Sequence, residues 1–462
     1  MQAEFTFLPP HYADKQVLLS YRALAADGST HEFTERITFS RDLDCIPAQQ
    51  LAATLRLLSL AAGLSYYKAF APAPISVATG LSVQEHRFLR AILRGGLGEF
   101  AFVNNIPEAL NPQILTLPTG CADAATTAEG AASAEVAEAE SPDAGNFAAA
   151  QATPPEISTA LCAIGGGKDS IVSLLALQRA GVTVHGFAIN PKRPMLDTAD
   201  TAQVPLMTAS RQLDPHLFEL NKQGYPNGHV PVTAINSLIA VLTAWAHGLD
   251  AVIFSNEAGA SYGNVSWHGY DINHQWSKSS AFEALLRESL PSGAPQYCSL
   301  LRPLNEIRIA RNFAEQRPFH RVFTSCNRAF TMAAGADTSW CGECPKCQFI
   351  FLMLAPFLPP EELTAIFGGR NLFDEAQQVG GFLDLMGEAA RQKPFECVGE
   401  PLECRVALTL AAANPAWQRT ALLQHPAVAA LYVTEAEVAE VFAPQQERNF
   451  IPANLLETVR EI

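Results

Sequence analysis

The chain has 462 residues, of which 48% are hydrophobic, and its formal net charge is −15. This length exceeds what one ordinary hydrophobic core supports, so two or three domains are expected. The acidic balance argues against a protein that mainly grips nucleic acid, because phosphate backbones attract an excess of lysine and arginine. The sequence lacks both a run of about 18 uncharged apolar residues and a signal-peptide pattern, which predicts a cytoplasmic protein without a membrane span.

Residues 1–119 are predicted to form an α+β module. The segments "KQVLLSYRAL" and "HEFTERITFS" alternate apolar and polar residues, as two antiparallel strands do, and the turn-forming "AADGST" joins them. A helix is predicted over Gln49 to Gly63. Residues 120–156 are rich in alanine and acidic residues and contain almost no large apolar side chains, so they are predicted to be a flexible linker or insertion.

Residues 157–325 repeat a pattern of apolar segment, turn and amphipathic segment. Strands are predicted in "STALCAI", "VTVHGFAIN", "HLFELN" and "DAVIFSN", and helices in "DSIVSLLALQRAG" and "PVTAINSLIAVLTAWAHG". This alternation predicts an α/β fold in which a parallel sheet carries helices on both faces. Residues 326–462 contain a cysteine cluster and are predicted to be mainly helical.

A glycine-rich loop, "GGGKDS", lies directly between the first predicted strand and the first predicted helix of the α/β region. Glycines let a backbone approach a ligand closely, and the amides at a helix N-terminus face an anion, so this context predicts a phosphate site. The alternative is a tight strand-to-helix turn without a ligand. The spacing differs from that of dinucleotide-binding and Walker loops, and the segment resembles the SGGKDS signature of the PP-loop ATP pyrophosphatase superfamily.

Members of that superfamily cleave ATP between its α- and β-phosphates, so the resemblance implies that this loop binds ATP. The usual first serine is Gly165 in this chain, which removes a hydroxyl that would contact phosphate. The other five positions match the signature: Gly166, Gly167, Lys168, Asp169 and Ser170.

Polar residues also follow the predicted strand "DAVIFSN". In doubly wound sheets ligands bind beyond the carboxyl ends of the strands, which makes Ser255, Asn256 and Glu257 candidates for the nucleotide site. Glu257 is a candidate for holding magnesium or for moving a proton, and the alternative is a solvated acid in a loop.

The segment "HGYDINHQWSKS" is dense in functional groups, which fits a substrate loop. Its candidates for the active site are His274 and Lys278, although a lone histidine is more often structural than catalytic. The start of the long predicted helix adds His229 and Asn236, which are expected at the same edge of the sheet; the alternative for both is an ordinary polar neighbour of a helix start.

Four cysteines have the spacing C-x14-C-x2-C-x2-C: Cys326, Cys341, Cys344 and Cys347. Four thiolates suit a tetrahedral zinc ion, which with no open position would be structural. The alternatives are a [4Fe–4S] cluster, for which C-x2-C-x2-C is also typical, and reduced cysteines without a metal. The spacing further resembles the zinc knot of the PP-loop enzyme that makes 7-cyano-7-deazaguanine.

Several distinctive segments occur in one order along the chain, among them "GGGKDS", "NGHVPVTAINS", "FSNEAGASYGN", "LLRPLNEIRIA", "CGECPKC" and "KPFECVGE". This order resembles the UDP-N-acetylmuramoyl-L-alanyl-L-glutamate epimerase family, called MurL, over about residues 157–400. The resemblance implies an enzyme of peptidoglycan synthesis that converts the terminal L-glutamate of UDP-MurNAc-L-Ala-L-Glu to D-glutamate, while ATP and water yield AMP and diphosphate. A ligase that adds L-glutamate is the implied functional partner.

The implied reaction assigns roles to the loop. Gly166, Gly167 and Lys168 would bind the phosphates, with Lys168 offsetting negative charge. Asp169 would hold Mg²⁺, which bridges phosphate oxygens, and Ser170 would add a hydroxyl contact.

No motif marks the groups that move the proton at the glutamate α-carbon. Four residues are candidates, since each exchanges a proton near neutral pH if its pKa is shifted: Glu257, His274, Lys278 and Cys397. For Cys397 the alternative is a small buried residue. Arg302 and Arg308 are candidates for clamping the UDP phosphates or the glutamate γ-carboxylate, with surface salt bridges as the alternative.

Two other enzyme classes and a binding module fit parts of the pattern. The cysteine arrangement is compatible with an adenylating amide or nitrile synthase that acts on a deazapurine. A tRNA-modifying PP-loop enzyme is the second alternative, against which the acidic balance counts. A non-catalytic, metal-stabilised interaction module is the third, and the intact Lys168-Asp169-Ser170 sequence argues against it.

Overall fold

The computed structural model describes residues 3–116, 154–330, 340–388, 394–446 and 448–462. The linker predicted over 120–156 lies outside the described residues as far as residue 153. Within the described ranges, no helix combines the length and the apolar character that crossing a bilayer requires.

One large sheet contains ten strands, and two further strands form a small hairpin. In chain order the strands are β1 (Glu4–Phe7), β2 (His11–Ala13), β3 (Gln16–Leu24), β4 (Thr30–Phe39), β5 (Ile75–Val77), β6 (Thr159–Ala163), β7 (Thr183–Ile189), β8 (Leu206–Gln212), β9 (Ala251–Phe254), β10 (Val265–Trp267), β11 (Tyr270–Ile272) and β12 (Gln296–Ser299).

The large sheet has a parallel half and a mostly antiparallel half. Its order is β12-β9-β6-β7-β8-β4-β3-β1-β5, with β2 paired to β3, and β10 and β11 form the hairpin. Strands β12, β9, β6, β7 and β8 are parallel, whereas β4 runs antiparallel to β8 with Arg36 opposite Gln212. The sheet therefore continues from the N-terminal segment into the α/β region. The domain boundaries at 119, 156 and 325 stay a prediction.

Fifteen α-helices lie in the described residues. They are α1 (Ala48–Tyr67), α2 (Val83–Gly96), α3 (Gly98–Asn104), α4 (Lys168–Arg179), α5 (Arg193–Thr201), α6 (His216–Lys222), α7 (Val232–Ala246), α8 (Ser280–Ser289), α9 (Glu306–Ala314), α10 (Pro345–Leu354), α11 (Pro360–Ile366), α12 (Val379–Leu385), α13 (Pro401–Ala412), α14 (Glu435–Phe442) and α15 (Leu456–Arg460). The mainly helical character predicted for the C-terminal region agrees with α10 to α15.

Helices cover both faces of the sheet, as the alternation in sequence predicts. On β6, Ala160 and Cys162 pack into a core with α4, α9 and α10, while Leu161 points to the opposite core, which contains α1 and α7. This alternation is what a strand buried on both faces requires. The mixed α/β architecture with a large central sheet is confirmed.

One predicted strand is wrong. The segment "HLFELN" forms α6, and the strand that pairs with β7 is β8, which precedes it. Leu217 and Leu220 are the buried residues of α6 and are three positions apart, which is helical spacing. Strand β8 escaped prediction because its sequence, "LMTASRQ", is mostly polar after its first two residues.

Candidate functional site

The glycine-rich loop joins the end of β6 to the start of α4. Gly166 adopts a left-handed conformation, with φ of +85°, that favours glycine. Among the described residues, no atom lies within 4 Å of a side chain placed at Gly165. Within the described part of the chain, no side chain caps the start of α4, and the first amides of a helix have no partner within the helix itself. A glycine-rich turn before an uncapped helix start is compatible with the predicted phosphate site, which stays a prediction.

Ser170 and Thr324 hold the loop in place. The Ser170 hydroxyl donates to the Gly167 carbonyl at 3.0 Å, and the Thr324 amide donates to the Gly166 carbonyl at 2.9 Å. The serine hydroxyl therefore stabilises the conformation of the loop through a bond to its backbone.

Lys168 begins α4 and is 1% exposed. Its ammonium contacts the carboxylates of Asp169 and Glu306. Burial alone would lower the pKa of Lys168, but the charges of Asp169 and Glu306 outweigh it and raise that pKa, so the ammonium stays charged. Asp169 keeps 30% of its side chain exposed and therefore faces the solvent side of the loop.

Glu306 and Glu403 extend this charged cluster inward. The Glu306 amide donates to Glu403 Oε1 at 2.6 Å. Burial raises the pKa of Glu306 to about 7 against the opposing charge of Lys168. Burial, together with the charge of Glu306, raises the pKa of Glu403 to about 8. The charge of Glu257 adds to both increases, because neighbouring carboxylates disfavour one another's charged form.

The residues after β9 lie beside this carboxyl cluster. Asn256 is buried and donates to the Ser299 hydroxyl at 2.9 Å, while the hydroxyl of Ser255 is buried without a hydrogen-bond partner among the described residues. A side chain placed at Gly259 would lie 3.6 Å from Glu403 Oε2 and 3.9 Å from Glu257 Oε1. The structure thus brings Glu257 toward the loop side of the site.

Arg302 and Arg308, the predicted clamps for UDP or glutamate, are both buried and bound to groups of the protein. Arg302 is fully buried and donates to the carbonyls of Glu257 at 2.9 Å and Lys278 at 2.6 Å, and to Glu283 at 3.0 Å. Arg308 is buried and donates to the Arg460 carbonyl at 3.2 Å. Both guanidinium groups hold protein segments together, and Arg302 fixes the backbones of two candidate residues.

Three proton-transfer candidates meet on the other side of the site. The Lys278 ammonium contacts the Cys397 sulfur at 3.0 Å, and His274 forms a hydrogen bond with the same thiol. Burial would raise the pKa of Cys397, but the charge of Lys278 and the hydrogen bond from His274 outweigh it and lower the pKa to about 5. Cys397 is therefore a thiolate at neutral pH, which makes it both a base and a nucleophile.

His274 and Lys278 keep their protons beside this thiolate. Burial would lower the pKa of His274, but its hydrogen bonds with Cys397 and Glu99 raise it to about 9. Burial would lower the pKa of Lys278, but the charges of Cys397 and Glu257 outweigh burial and raise that pKa. The side of the site around Cys397 thus holds one anionic sulfur between two cations.

A short chain of contacts links the two sides. Glu400, three residues after Cys397, donates its amide to Glu403 Oε2 at 3.0 Å, and Glu403 in turn accepts from the Glu306 amide. Arg302 binds the backbones of both Glu257 and Lys278. Hydrogen bonds of the protein therefore connect the loop side with the thiolate side.

The four predicted metal-binding cysteines lie together next to the loop. Their sulfur atoms are 3.9 Å apart for Cys326 and Cys344, 3.7 Å for Cys341 and Cys347, and 3.5 Å for Cys344 and Cys347. Four sulfurs bound to one tetrahedral zinc at about 2.3 Å lie about 3.8 Å from one another. The spacing fits a single ion, whereas a four-iron cluster binds one thiolate per iron and holds the sulfurs further apart.

The comparisons with known proteins identify the family. The model of the MurL N-terminal domain matches residues 2–300, and that of the MurL C-terminal domain matches residues 322–441. The chain belongs to the MurL family. This membership confirms the resemblance that the ordered sequence segments indicate.

Three relatives of the MurL family are each 40% identical to this chain, and each is named UDP-N-acetyl-alpha-D-muramoyl-L-alanyl-L-glutamate epimerase. The protein of Micromonospora sp. aligns over 95% of this chain and 94% of its own length. The proteins of Salinispora tropica and Xanthomonas oryzae pv. oryzae align over 92% and 82% of this chain, and over 86% and 78% of their own lengths.

Three acidic residues of the site were not predicted from the sequence: Glu99, Glu306 and Glu403. A charged residue at the first position of the largely buried helix α9 is a local signal for Glu306. Glu99 and Glu403 lie in the first turns of α3 and α13, where acidic residues are common, and no neighbouring motif in the sequence marks them.

Proposed function

We propose that this protein is an ATP-dependent isomerase that inverts the terminal L-glutamate of UDP-MurNAc-L-Ala-L-Glu and forms AMP and diphosphate. Membership of the MurL family supports the substrate and the epimerisation. The observation that carries the mechanism is a thiolate held between Lys278 and His274, in a segment that hydrogen bonds connect through Glu403 to the glycine-rich loop. A site of this kind joins an activation step to a proton transfer.

Activation solves a chemical problem at the glutamate α-carbon. Removing the α-hydrogen of a carboxylate builds a second negative charge beside the first. When a carboxylate oxygen attacks the α-phosphorus of ATP and diphosphate leaves, the resulting acyl phosphate has no charge on its carbonyl, and its enolate is far more accessible. The α-proton then passes to a base, a proton returns from the other face, and water cleaves the anhydride to release AMP.

The loop side carries the residues for the first step. The amides of Gly166 and Gly167 and the start of α4 face the phosphates, and Lys168 offsets their charge. Asp169 and Glu257 supply carboxylate oxygens suited to Mg²⁺, which when bound neutralises phosphate oxygens. Raised pKa values at Glu306 and Glu403 fit a site built to contain more positive charge than the protein alone provides.

The thiolate side carries the residues for proton transfer. Cys397 is the group in the correct form to accept the α-proton at neutral pH, and Lys278 and His274 keep it in that form. The proton that returns from the other face would come from a group that does not contact Cys397. The cationic pair also stabilises the negative charge that develops on the enolate oxygen.

The four-cysteine cluster is proposed to hold a structural zinc ion. Cys326 lies two residues from Thr324, whose amide binds the Gly166 carbonyl, so an ion at the cysteines would fix the segment that supports the loop. Four protein thiolates leave no open position for catalysis.

The implied functional partner is a ligase that supplies UDP-MurNAc-L-Ala-L-Glu, while a role in nucleic-acid modification and a membrane association are not proposed. The family match counts against the deazapurine synthase, the tRNA-modifying enzyme and the interaction module as alternatives.

One experiment tests the proposal as a whole. The protein is mixed with ATP, Mg²⁺ and UDP-MurNAc-L-Ala-L-Glu in heavy water, and deuterium at the glutamate α-carbon is followed together with AMP. We expect both to form, and neither to form without ATP. Deuterium that enters equally fast without ATP would refute the activation mechanism, and AMP that forms only with ammonia and a deazapurine acid would establish the synthase instead.

A further inference from the structure

Helix α3 of the N-terminal segment lies against the segment that carries Cys397. Phe102 of α3 packs on Phe395, with ring centroids 5.3 Å apart. Asn264 supports the same segment by donating to the Pro394 carbonyl at 3.3 Å. Glu99 lies about one turn before Phe102 on α3, and its carboxylate contacts His274 Nδ1. Helix α3, the segment of Asn264 and His274, and the segment of Cys397 therefore lie against one another.

From this convergence we propose that Glu99 is a positioning residue, which holds His274 as an imidazolium with Nδ1 toward the carboxylate and Nε2 toward the Cys397 sulfur. The inference rests on the proposed function, because it concerns the thiolate that function uses. The arrangement is a carboxylate, an imidazole and a thiol in series, in which the thiol proton resides on the ring and the carboxylate balances the charge so created.

Two histidines lie near the Glu99 carboxylate, and their distances from it differ. His274 contacts Glu99 directly, while His229 Nδ1 lies 3.7 Å from the same oxygen, and the two rings are 4.5 Å apart. Two adjacent imidazolium groups would repel each other, so one of them is expected to stay neutral. Burial and the charge of His274 lower the pKa of His229 to about 4, which assigns the proton to His274.

The other charged groups near these side chains do not replace Glu99. The charges of Lys278 and Lys346 lower the pKa of Cys397, and those of Lys68 and Lys278 lower the pKa of His229. All of these are cations, which favour the thiolate but oppose a protonated histidine. Among the described groups that act on His274, Glu99 is the carboxylate that stabilises its charge.

The test is the alkylation of Cys397 by iodoacetamide in the full chain, without ATP or substrate, followed by peptide mass analysis across pH 4 to 10. Glu99→Gln removes the charge of Glu99 and keeps its shape. We expect the apparent pKa of Cys397 to rise by about one unit in this variant, which slows alkylation at pH 5 about fivefold because the thiolate fraction falls. At pH 9 the two proteins should react equally, since both are then fully ionised.

Matched variants separate positioning from loss of structure. Glu108 is exposed in the same N-terminal segment, and Glu108→Gln should leave the pH profile unchanged. Glu99→Asp keeps the charge and should restore most of the reactivity at pH 5. Deuterium entry into the substrate should fall in Glu99→Gln through kcat, with little change in KM.

Three results would overturn the proposal. A profile of Glu99→Gln that matches the unaltered protein would show that the carboxylate does not act on the thiol. A rate reduced equally at pH 5 and pH 9 would show a structural role only. Glu99, His229 and His274 also have donor atoms close enough to share an ion, and a metal bound per chain that is lost specifically in Glu99→Gln would show a metal site instead. Because no substrate takes part in the alkylation, failure of the epimerase reaction leaves this test intact.

Discussion

Two lysines face the candidate site from its two sides, and their partners differ. Lys168 lies among the carboxylates of Asp169 and Glu306, whereas Lys278 contacts the thiol of Cys397. Charged partners raise the pKa of both lysines against burial, so both sides receive the same positive charge. In the proposed mechanism, the charge beside the carboxylates serves phosphate and magnesium, and the charge beside the thiol maintains a base. Under that proposal the partner of each lysine decides which step the lysine serves.

The largest expected effect separates the two sides at Cys397. In Cys397→Ser a hydroxyl that stays protonated at neutral pH replaces the thiolate, so deuterium entry at the α-carbon should fall about a thousandfold. Diphosphate release in the first turnover depends on the loop and should stay within about tenfold of the unaltered protein. Both are measured by rapid quench. Cys45→Ser, at an exposed cysteine, is the control, and equal losses of both steps would show that the sides do not act separately.

The converse change is Lys168→Ala. Removing the ammonium at the loop should slow diphosphate release by about 10² to 10³-fold, because charge on the phosphates is no longer offset. Alkylation of Cys397 at pH 6 should be unchanged, since Lys278 and His274 are intact. Lys222→Ala, at an exposed lysine, is the matched control. Diphosphate release that persists in Lys168→Ala would contradict the role assigned to the loop.

A third prediction concerns the cysteines that adjoin the loop. We expect one zinc ion per chain by elemental analysis, and its loss in Cys326→Ser with a fall in Tm of about 5 °C or more. Diphosphate release should suffer more than Cys397 alkylation, because Cys326 lies next to the segment that supports Gly166. Iron in place of zinc, or an unchanged Tm after metal loss, would contradict the structural zinc.

The two sides also differ in how far they can be predicted from sequence. The loop is local: a strand, three glycines and a helix start follow one another, so both its position and the residues Lys168 and Asp169 could be predicted. On the thiolate side the sequence indicated suitable residue types at His274, Lys278 and Cys397 but not their pairing, because Lys278 and Cys397 are 119 positions apart. Glu99 lies 175 positions from His274, and the packing of α3 against β11, which ends two residues before His274, brings it near. Arg302 was predicted as a ligand clamp, and its position in the interior could not be predicted because neighbouring residues in sequence do not reveal burial.

The pH dependence of deuterium entry gives a smaller effect. The pKa of Cys397, lowered to about 5, means that its thiolate is lost as the pH falls through that value, and the rate should drop about tenfold per unit below it. The pKa of His274, raised to about 9, means that its proton is lost above that value, which should slow the reaction again. Between pH 6 and 8 the rate should be nearly flat. A rate that rises steadily through pH 7 would instead indicate a base with an unshifted histidine pKa.

The smallest expected effect is that of His229→Asn, and a comparison with His274→Asn distinguishes the two histidines that face Glu99. His229 is neutral at pH 7 because burial and the charge of His274 lower its pKa to about 4, so His229→Asn removes no charge from the thiolate side. We expect kcat to change less than about threefold in His229→Asn, and to fall about a hundredfold in His274→Asn, which removes the proton donor to Cys397. Steady-state kinetics at pH 7 measure both. If the two variants lost activity equally, the proton would be shared between the rings, and Glu99 would act on the pair instead of on His274 alone.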